Sequence, residues 1–203
     1  MPTAQRTERV KRLLSLRQPD LRVVLEGVAI AHNASAVIRT CDAAGILYLD
    51  LVSPNPDLLG INRAISTKAE KWLEVRIHES LEACLLPLKE KGFQIAVTHL
   101  GEGAVEYTEF DYTRPLAIVF GSESEGVSAE ALKLADRKIR IPMLGMVQSL
   151  NLSVSVGIIL FEALKQRRAA GFYDQRRLGD EEFDRYLRKW LSEEGKKRNT
   201  AGG

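Results

Sequence analysis

Polar side chains crowd the run IPMLGMVQSLNLSVSV, residues 141–156, between a predicted strand and a predicted helix. The strand breaks at Pro142, and the helix beyond the loop is predicted to run towards Leu164. In an open α/β sheet such a strand-to-helix junction is where ligands bind, which makes Ser149 and Asn151 candidate functional residues. A Ser or Asn at this place can equally be a helix N-cap. The spacing alone leaves both roles open.

Two earlier segments also place polar residues directly after predicted strands. HNASAVIRTCDAAG carries Asn33, where a helix cap would stand, and then Arg39 among Val, Ile and Cys. A guanidinium in an apolar neighbourhood is costly without an anionic partner, so Arg39 is predicted to bind an anion; a surface arginine is the alternative. FGSESEGVSAEAL carries Glu123 and also Gly121, which lets the backbone approach a ligand. A solvated loop before a capped helix is the alternative there.

Several function classes lack their signatures. The chain has no Walker loop, no G-x-G-x-x-G after its first strand and no persuasive Ser-His-Asp arrangement. Cys41 and Cys84 are the only cysteines; with three scattered histidines they predict no metal site, and they favour a reducing cytoplasm. The N-terminus has no signal-peptide apolar region, and no apolar run approaches the roughly eighteen residues that suggest a membrane span. We therefore expect a cytoplasmic protein without a membrane or metal partner.

Charge is distributed unevenly along the chain, whose net charge is +2. Residues 1–25 contain six Lys/Arg and two acids, and residues 165–203 contain eleven Lys/Arg and seven acids. Each end therefore carries +4, while the body between them, with twelve basic and eighteen acidic residues, carries −6. Basic ends on an acidic body suggest contacts with nucleic acid phosphates. Solvated helix faces are the alternative.

The order of predicted elements indicates the fold class. Strands are predicted at 21–28, 46–52, 72–77, 93–98, 116–120 and 139–141. Helices are predicted at 10–16, 33–44, 79–91, 128–135 and 151–164, with a polar helix near 181–191. Strands and helices in alternation predict an α/β fold with a mostly parallel sheet and helices on both faces.

Taken together, the three segments resemble the tRNA ribose 2′-O-methyltransferases of the SPOUT superfamily. The resemblance rests on N-x-S-A-x-x-R-T at 33–40, F-G-S-E-x-x-G-V-S at 120–128 and I-P-M-x-G-M-V-Q-S-L-N-x-S-V at 141–154. Each motif is moderately specific, and the three in this order are highly specific. The runs LRQPDL, FDYTRP and FEALKQRRAAGFYD extend the resemblance to the flanks. The chain looks most like the bacterial branch that methylates guanosine 18 in the tRNA D-loop.

This resemblance implies a domain plan. The C-terminal part of the parallel sheet is expected to thread a loop and make a trefoil knot, with helical extensions at both ends of the chain. The predicted parts are a basic N-terminal helical extension (1–18), a SPOUT methyltransferase domain (19–169), and a C-terminal polar helix with a basic tail (170–203).

The same resemblance implies an active site that uses S-adenosylmethionine. Backbone groups of the knotted loops are expected to hold this cofactor at Thr98, Gly121, Ile141 and Leu150. Arg39 matches the residue proposed to take the proton of the ribose 2′-hydroxyl. Because arginine is normally always protonated, either a substrate phosphate takes part or Arg39 clamps that phosphate. Asn33 would position Arg39, while Glu123, Ser149 and Asn151 would shape the pocket.

The expected partners are tRNA and a second copy of the chain. In the family the enzyme is a homodimer whose arginine reaches the other subunit's cofactor. The RNA contacts are predicted at Arg9, Arg12, Arg167 and Arg168. One alternative is 2′-O-methylation of another tRNA position or of ribosomal RNA. An alternative of another class is a non-catalytic RNA-binding protein with the same fold.

Overall fold

The computed structural model of the chain describes residues 2–27, 30–53, 70–122 and 125–195, with the backbone alone for 30–35, 70 and 193–195. Along this part of the chain strands alternate with helices, and a short 3₁₀ turn lies at Glu70–Trp72. The strands are β1 (Gln18–Glu26), β2 (Ile46–Val52), β3 (Glu74–His78), β4 (Gln94–Thr98), β5 (Val105–Glu106), β6 (Leu116–Phe120) and β7 (Arg137–Arg140). The helices are α1 (Ala4–Ser15), α2 (Ile30–Ala43), α3 (Leu81–Glu90), α4 (Ala129–Leu134), α5 (Leu152–Ala169) and α6 (Asp180–Gly195).

The seven strands form one parallel sheet in the order β3-β2-β1-β6-β4-β7-β5. The central strands β2 and β6 are buried along their whole length, because a parallel sheet covered by helices on both faces shields its strands from water. The predicted α/β class is confirmed. The two-residue strand β5 is absent from the sequence prediction, since two residues are too short to show a period.

Helices pack on both faces of the sheet and form two separate cores. On one face α2 and α5 contribute to a cluster that contains Val23 and Val156. On the other face α3 and α4 contribute to a cluster that contains Val24 and Leu85. Successive side chains of a strand point to opposite faces, so the neighbours Val23 and Val24 of β1 belong to different cores.

Strand β7 lies between β4 and β5, although it follows both in the chain. Thr98 at the end of β4 and Val105 at the start of β5 are both paired with Ile139 of β7. The connection 99–104 must therefore pass β7 on one side at its carboxyl end. The 141–151 loop leaves β7 at this same level, which brings the two connections together.

The two terminal helices pack against each other and against the sheet. Leu14 of α1 and Leu47 of β2 share a buried cluster with Phe183, Tyr186 and Trp190 of α6. The predicted polar helix at the C-terminus is thus amphipathic, because these aromatic residues recur at helical spacing and give it one buried face. Helices α1 and α6 are therefore packed onto the rest of the described chain.

The start of β1 differs from the sequence prediction. Gln18 is the first residue of β1, so the predicted boundary between 18 and 19 falls inside a strand. Pro19 occupies the stretch where the pairing with β2 shifts register, between Gln18 and Arg22. Since proline lacks a backbone N–H, it is tolerated in a strand at such an irregularity.

Candidate active site

A cavity of about 440 Å³ opens at the carboxyl ends of β4, β6 and β7. Its wall consists of residues that follow these strands and of the first turn of α5. The four residues predicted to hold the cofactor, Thr98, Gly121, Ile141 and Leu150, all line this cavity, and so does Ser149. Segments far apart in the sequence thus meet at one edge of the sheet, because parallel strands end on the same side.

Two backbone segments meet closely at Gly121. A Cβ at this position would lie 1.9 Å from the carbonyl carbon of Gly126 and 2.2 Å from the nitrogen of Val127. Ser122 and Gly126 hold the segments together by exchanging backbone hydrogen bonds of 3.1 and 2.9 Å, and Gly126 adopts a φ of 70°, in the left-handed region that favours glycine. Residue 121 must therefore be glycine for this part of the wall to form.

Few charges face the cavity. Thr98 donates its hydroxyl to the carbonyl oxygen of Val119 at 3.3 Å, and the charged residues Glu125 and Arg140 are exposed where they line it. Such a wall suits a ligand that is recognised by backbone groups and apolar contacts, and its volume lies within the roughly 300–1,000 Å³ of small-molecule sites. The close contact between Gly121 and Gly126 fits the backbone-held S-adenosylmethionine that the family resemblance implies.

Asn151 is the N-cap of α5. Its Oδ1 accepts hydrogen bonds from the backbone nitrogen of Ser153 at 2.9 Å and from the Ser153 hydroxyl at 2.6 Å. The capping role that the sequence left open is confirmed for Asn151. A substrate role stays compatible with it, since Leu150 and Leu152 on either side line the cavity.

The helix that carries Asn33 and Arg39 begins earlier than the sequence predicts. Since α2 starts at Ile30, Asn33 lies in its first turn and is not its N-cap; the Asn33 side chain lies outside the described part of the chain. Arg39 is exposed, whereas Val37 and Ile38 beside it are buried. The predicted apolar setting of Arg39 is therefore wrong, because those neighbours face the core and Arg39 faces solvent.

The other predicted residues lie outside this cavity or outside the described residues. Glu123 belongs to the undescribed segment, and its role stays a prediction. Arg9 and Arg12 on α1 and Arg168 on α5 are exposed, as side chains that bind RNA must be. Arg9 also lines a larger cavity of about 950 Å³ between α1 and the end of α2. We place the chemistry in the smaller cavity, because the predicted cofactor residues converge there.

Arg167 cannot have its predicted role in RNA binding. Its side chain is 0% exposed, and it donates to the carbonyl oxygens of Tyr112 at 2.8 Å and Arg114 at 2.9 Å and to Oδ1 of Asp20 at 2.7 Å. Two further bonds go to the side chain of Gln18 and the backbone of Asp20. A guanidinium enclosed in this way is out of reach of an RNA phosphate.

Asp20 is the anionic partner in this buried group. Burial alone would raise the pKa of its carboxyl, but the hydrogen bonds and charges of Arg177 and Arg167 outweigh burial and hold the pKa below its usual value. We call Arg167, Asp20, Arg177 and Gln18 the Arg167 cluster. It joins the start of β1 to the end of α5 and to the segment before β6.

A second buried ionic group escapes prediction from the sequence. Arg22 donates to both carboxylate oxygens of Asp50, at 2.8 and 2.7 Å, and Nε2 of His78 lies 2.8 Å from Asp50 Oδ1. Among the described residues, Asp50, His78 and Cys84 place possible metal-ligand atoms within 4.8 Å of one another. However, Arg22 already occupies the Asp50 carboxylate, and burial raises the pKa of the Cys84 thiol to about 12. The available signal was Asp50, the one charged residue in the otherwise apolar strand β2.

Known proteins resemble this chain over most of its length. The SpoU rRNA Methylase family matches residues 20–161. The tRNA (guanosine(18)-2′-O)-methyltransferase of Thermus thermophilus is 48% identical over 189 residues, which are 93% of this chain and 97% of that protein. The crystal structure of the A. aeolicus TrmH/SpoU tRNA modifying enzyme matches with a TM-score of 0.82 and 40% identity, covering 94% of this chain and 96% of that one. An AdoMet-bound rRNA methyltransferase from Sinorhizobium meliloti matches with a TM-score of 0.63 and 30% identity, covering 77% and 60%.

Proposed function

The chain belongs to the SpoU methylase family, and on this premise we propose that it is a tRNA (guanosine(18)-2′-O)-methyltransferase. It methylates the ribose 2′-hydroxyl of guanosine 18 in the tRNA D-loop, with S-adenosylmethionine as the methyl donor. The observation that carries this assignment is the 48% identity to the Thermus enzyme over 97% of that protein. The cavity at the strand ends supplies a site of suitable size for the donor.

We infer that the cofactor binds in the 440 Å³ cavity. Backbone groups at Thr98, Ile141 and Leu150 would hold it, and the contact between Gly121 and Gly126 keeps side chains out of its space. When bound, S-adenosylmethionine supplies a methyl group on a sulfonium sulfur. The AdoMet-bound state of the Sinorhizobium relative supports this use of the cofactor.

The protein must place the ribose hydroxyl in line with that methyl group and provide for its proton, because a hydroxyl is a poor nucleophile. A protonated arginine cannot accept this proton. Arg39 is therefore assigned to an RNA phosphate, which it holds by charge-assisted hydrogen bonds so that a phosphate oxygen can take the proton. Asn33 positions Arg39, and Glu123, Ser149 and Asn151 shape the ribose side of the pocket.

We propose a homodimer in which each subunit completes the other's active site. Arg39 is not among the described residues that line the cavity of its own chain. Val154 and Phe161, seven residues apart on α5, are exposed, and Leu144 and Met146 in the loop after β7 are almost fully exposed. Large exposed apolar side chains favour an interaction surface. We propose that a second copy docks on these residues and brings its own Arg39 to the cavity.

We also propose that the carboxyl end of the sheet is a trefoil knot. The support is the place of β7 between β4 and β5, with the connection 99–104 passing on one side of it. The 141–151 loop leaves β7 at this level and leads back to α5, which packs on α2. In a knot the chain beyond β7 would pass through the earlier connection, a rare topology that fixes the cavity wall in place.

The proposed RNA contacts lie on the basic ends of the chain. Residues 1–18 and 165–203 would add tRNA affinity, with contacts at the exposed side chains of Arg9, Arg12 and Arg168. Among the described residues, no helix combines the length and the apolar character needed to cross a membrane. A tRNA substrate, together with two buried free cysteines, favours a cytoplasmic location.

Purified protein, S-adenosylmethionine and an unmodified tRNA transcript test the assignment. We expect one methyl group per tRNA, recovered as 2′-O-methylguanosine by mass spectrometry and mapped to position 18 by nuclease fragments. The matched control is the same tRNA with 2′-deoxyguanosine at position 18, which lacks the acceptor hydroxyl and should remain unmethylated. Equal methylation of this control would rule out position 18.

Two alternative functions predict different results in these assays. Methylation of ribosomal RNA fragments in place of tRNA would favour the activity named for the Sinorhizobium relative, whereas the basic ends of this chain favour the D-loop. A non-catalytic RNA-binding protein would bind tRNA and show no heat of binding with S-adenosylmethionine in calorimetry.

A further inference from the structure

The cavity between α1 and the end of α2 has no part in the proposed methyl transfer. Its volume of about 950 Å³ lies within the roughly 300–1,000 Å³ of small-molecule sites. Its described wall comes from α1, from the last residues of α2 and the turn after them, and from Trp72, Leu164 and Tyr173. None of these described residues also lines the cavity at the strand ends. It is therefore a separate candidate binding site.

Positive charge prevails in this wall. Among its described residues are Arg6, Arg9 and Arg17, and Asp42 is the one acid. Asp42 is already paired, because Arg17 donates to its Oδ1 and, at 3.1 Å, to its backbone oxygen. Arg9 is exposed and makes no ion pair with any described residue. The cavity is therefore suited to an anionic ligand, which Arg9 can hold by charge-assisted hydrogen bonds.

Two aromatic residues add apolar surface to the same wall. Tyr173 donates its hydroxyl to the carbonyl oxygen of Ala44 at 3.1 Å, and its Cε1 lies 3.3 Å from the place of a Cβ at Gly45. Its ring is thus fixed against the turn that follows α2. Trp72 is half-buried and touches Trp190 edge-on, with 5.1 Å between the ring centroids. Aromatic rings of this kind stack unpaired bases in RNA-binding proteins, so the combined wall favours a nucleotide.

The cavity opens one helical turn from Arg39. Arg39 and Ala43 are both exposed on α2, and Ala43 lines the cavity. Residues four apart lie on the same side of a helix, separated by about 6 Å along its axis. An RNA strand with a phosphate on Arg39 therefore passes the mouth of the cavity with its neighbouring nucleotide.

We propose that this cavity binds an unstacked nucleotide of the tRNA, next to the guanosine that is methylated. RNA loops offer bases that can leave the stack, and a guanosine drawn into the active site leaves its neighbour without a stacking partner. Trp72 and Tyr173 replace that partner, and Arg9 holds the phosphate. This role rests on the proposed function. In the proposed homodimer the nucleotide binds to the subunit that supplies Arg39.

Large side chains at the cavity test this role. Ala43→Trp fills it from α2, and Leu13→Trp fills it from α1. We expect each variant to raise the Kd for tRNA about tenfold, the effect of losing one stacked base. The Kd for S-adenosylmethionine should keep its wild-type value, because the two cavities share no described residue. Ala129→Trp is the control, since Ala129 is exposed on α4, on the other face of the sheet, and both Kd values should then stay unchanged.

A change in the RNA identifies the nucleotide. Two tRNAs, each with an abasic nucleotide on one side of guanosine 18, lose a base and keep its phosphate. One of them should bind the wild type about tenfold more weakly. Ala43→Trp should weaken the binding of that tRNA no further, because two changes that act through one contact are not additive. Full additive losses with both abasic tRNAs would overturn the proposal.

Nitrogen-15 spectra of the tryptophan indoles give a readout that needs no activity. The Trp72 signal, identified by its loss in Trp72→Phe, should shift when guanosine or uridine 5′-monophosphate is added to protein saturated with S-adenosylmethionine. Inorganic phosphate is the matched control and should shift it less. An unchanged Trp72 signal, or an equal shift with phosphate, would overturn the nucleotide site.

The remaining outcomes concern the source of the ligand. A shift with free nucleotides, combined with wild-type affinity for both abasic tRNAs, would assign the cavity to a free nucleotide and overturn the RNA contact. Loss of the dimer in Ala43→Trp, measured by sedimentation, would assign the cavity to a second copy of the chain and also overturn it. A wild-type protein that methylates no RNA would overturn the proposed function, and this failure is recognisable because Trp72 would still respond to nucleotides.

Discussion

The two ends of α5 lie in chemically different surroundings. At its first turn, Leu152 and Ser155 line a cavity walled largely by backbone and short side chains. In its last turn, Arg167 is buried with five hydrogen bonds to the protein. Charge therefore holds the scaffold at one end, while glycine and backbone groups open the site at the other. An arginine in a family motif cannot be assigned to a substrate until its burial is known, as the contrast between Arg39 and Arg167 shows.

Removing the buried charge of Arg167 in the last turn of α5 should have the largest effect on the protein. Arg167→Met leaves the carbonyl oxygens of Tyr112 and Arg114 without their donor and breaks the pair with Asp20. The free energy of unfolding should fall by about 3–5 kcal/mol, measured by urea unfolding. The methylation rate per folded molecule should not change. Arg168→Met, at the adjacent exposed position, is the control and should stay within about 0.5 kcal/mol of the wild type.

The stability difference between wild type and Arg167→Met should also depend on pH. The pKa of Asp20 is depressed in the folded state. Its stabilising contribution is therefore complete above its unfolded pKa of about 4 and is lost as the pH falls towards the depressed value. The stability gap between wild type and Arg167→Met should narrow in acid. A gap that widens below pH 4 would contradict the assigned pair.

At the open end, Arg39→Ala should slow methyl transfer at least about 100-fold, roughly 2.7 kcal/mol of transition-state stabilisation. Tm should remain at the wild-type value because Arg39 is exposed, and the Kd for S-adenosylmethionine should remain at its wild-type value because backbone groups of other loops are proposed to hold the cofactor. Single-turnover kinetics measure the first quantity and calorimetry the second. Retention of a tenth of the rate would exclude both the base and the clamp roles.

Mixing subunits sharpens this result. An Arg39→Ala chain and an Asn151→Ala chain can together assemble one active site with both residues intact if the site is shared. Activity should then return after subunit exchange. Heterodimers that exchange and stay inactive would place Arg39 in its own subunit's site.

Adding a single methyl group at Gly121 should displace the cavity wall. Gly121→Ala places a Cβ 1.9 Å from the backbone of Gly126, so the two segments must separate and the cavity wall must move. We expect the Kd for S-adenosylmethionine to rise at least about tenfold, or about 1.4 kcal/mol. Gly145→Ala is the control in the neighbouring loop, since its Cβ would have no atom within 4 Å. Equal loss in the two variants would show that loop flexibility matters more than close approach.

The smallest effect is expected at the basic N-terminal helix. Arg9→Ala and Arg12→Ala should each weaken tRNA binding and make the logarithmic salt dependence shallower by about 0.7–0.9 for each lost phosphate contact. S-adenosylmethionine binding should be unaffected, because neither residue lines its cavity. Binding titrations at several salt concentrations measure the slope. An unchanged slope would show that these arginines are solvated surface residues and do not contact RNA phosphates.

Hydrophobic runs and turn residues predict most of the elements of this fold. Gly45 and Gly92 end helices with φ of 78° and 81°, and Ser128 caps α4, as their sequence positions predict. The convergence of Gly121, Ile141 and Leu150 also follows from the sequence, because each comes after a parallel strand and such strands end at one edge.

Other features have no local signal in the sequence. Hydrophobic periodicity indicates which face of a strand a side chain occupies, but not which strand lies beside it. The position of β7 between β4 and β5 therefore could not be predicted from the sequence. Arg167 lies in the run KQRRAAG, where its buried partners Asp20 and Tyr112 are far away in the chain. The start of α2 at Ile30 moves Asn33 from a cap into a helical turn.

The place of β7 also governs when the protein can take shape during synthesis. In the described sheet β5 pairs with β7 alone, and β7 leaves the ribosome only after β6 and α4. Until then the backbone of β5 has no strand to bond with, and the cavity lacks the wall that follows β7. A ligand stabilises only the state that binds it, so S-adenosylmethionine cannot assist a chain that is still short of α5. The nascent protein must therefore carry an unfinished sheet edge, which is a risk for aggregation, until β7 has been made.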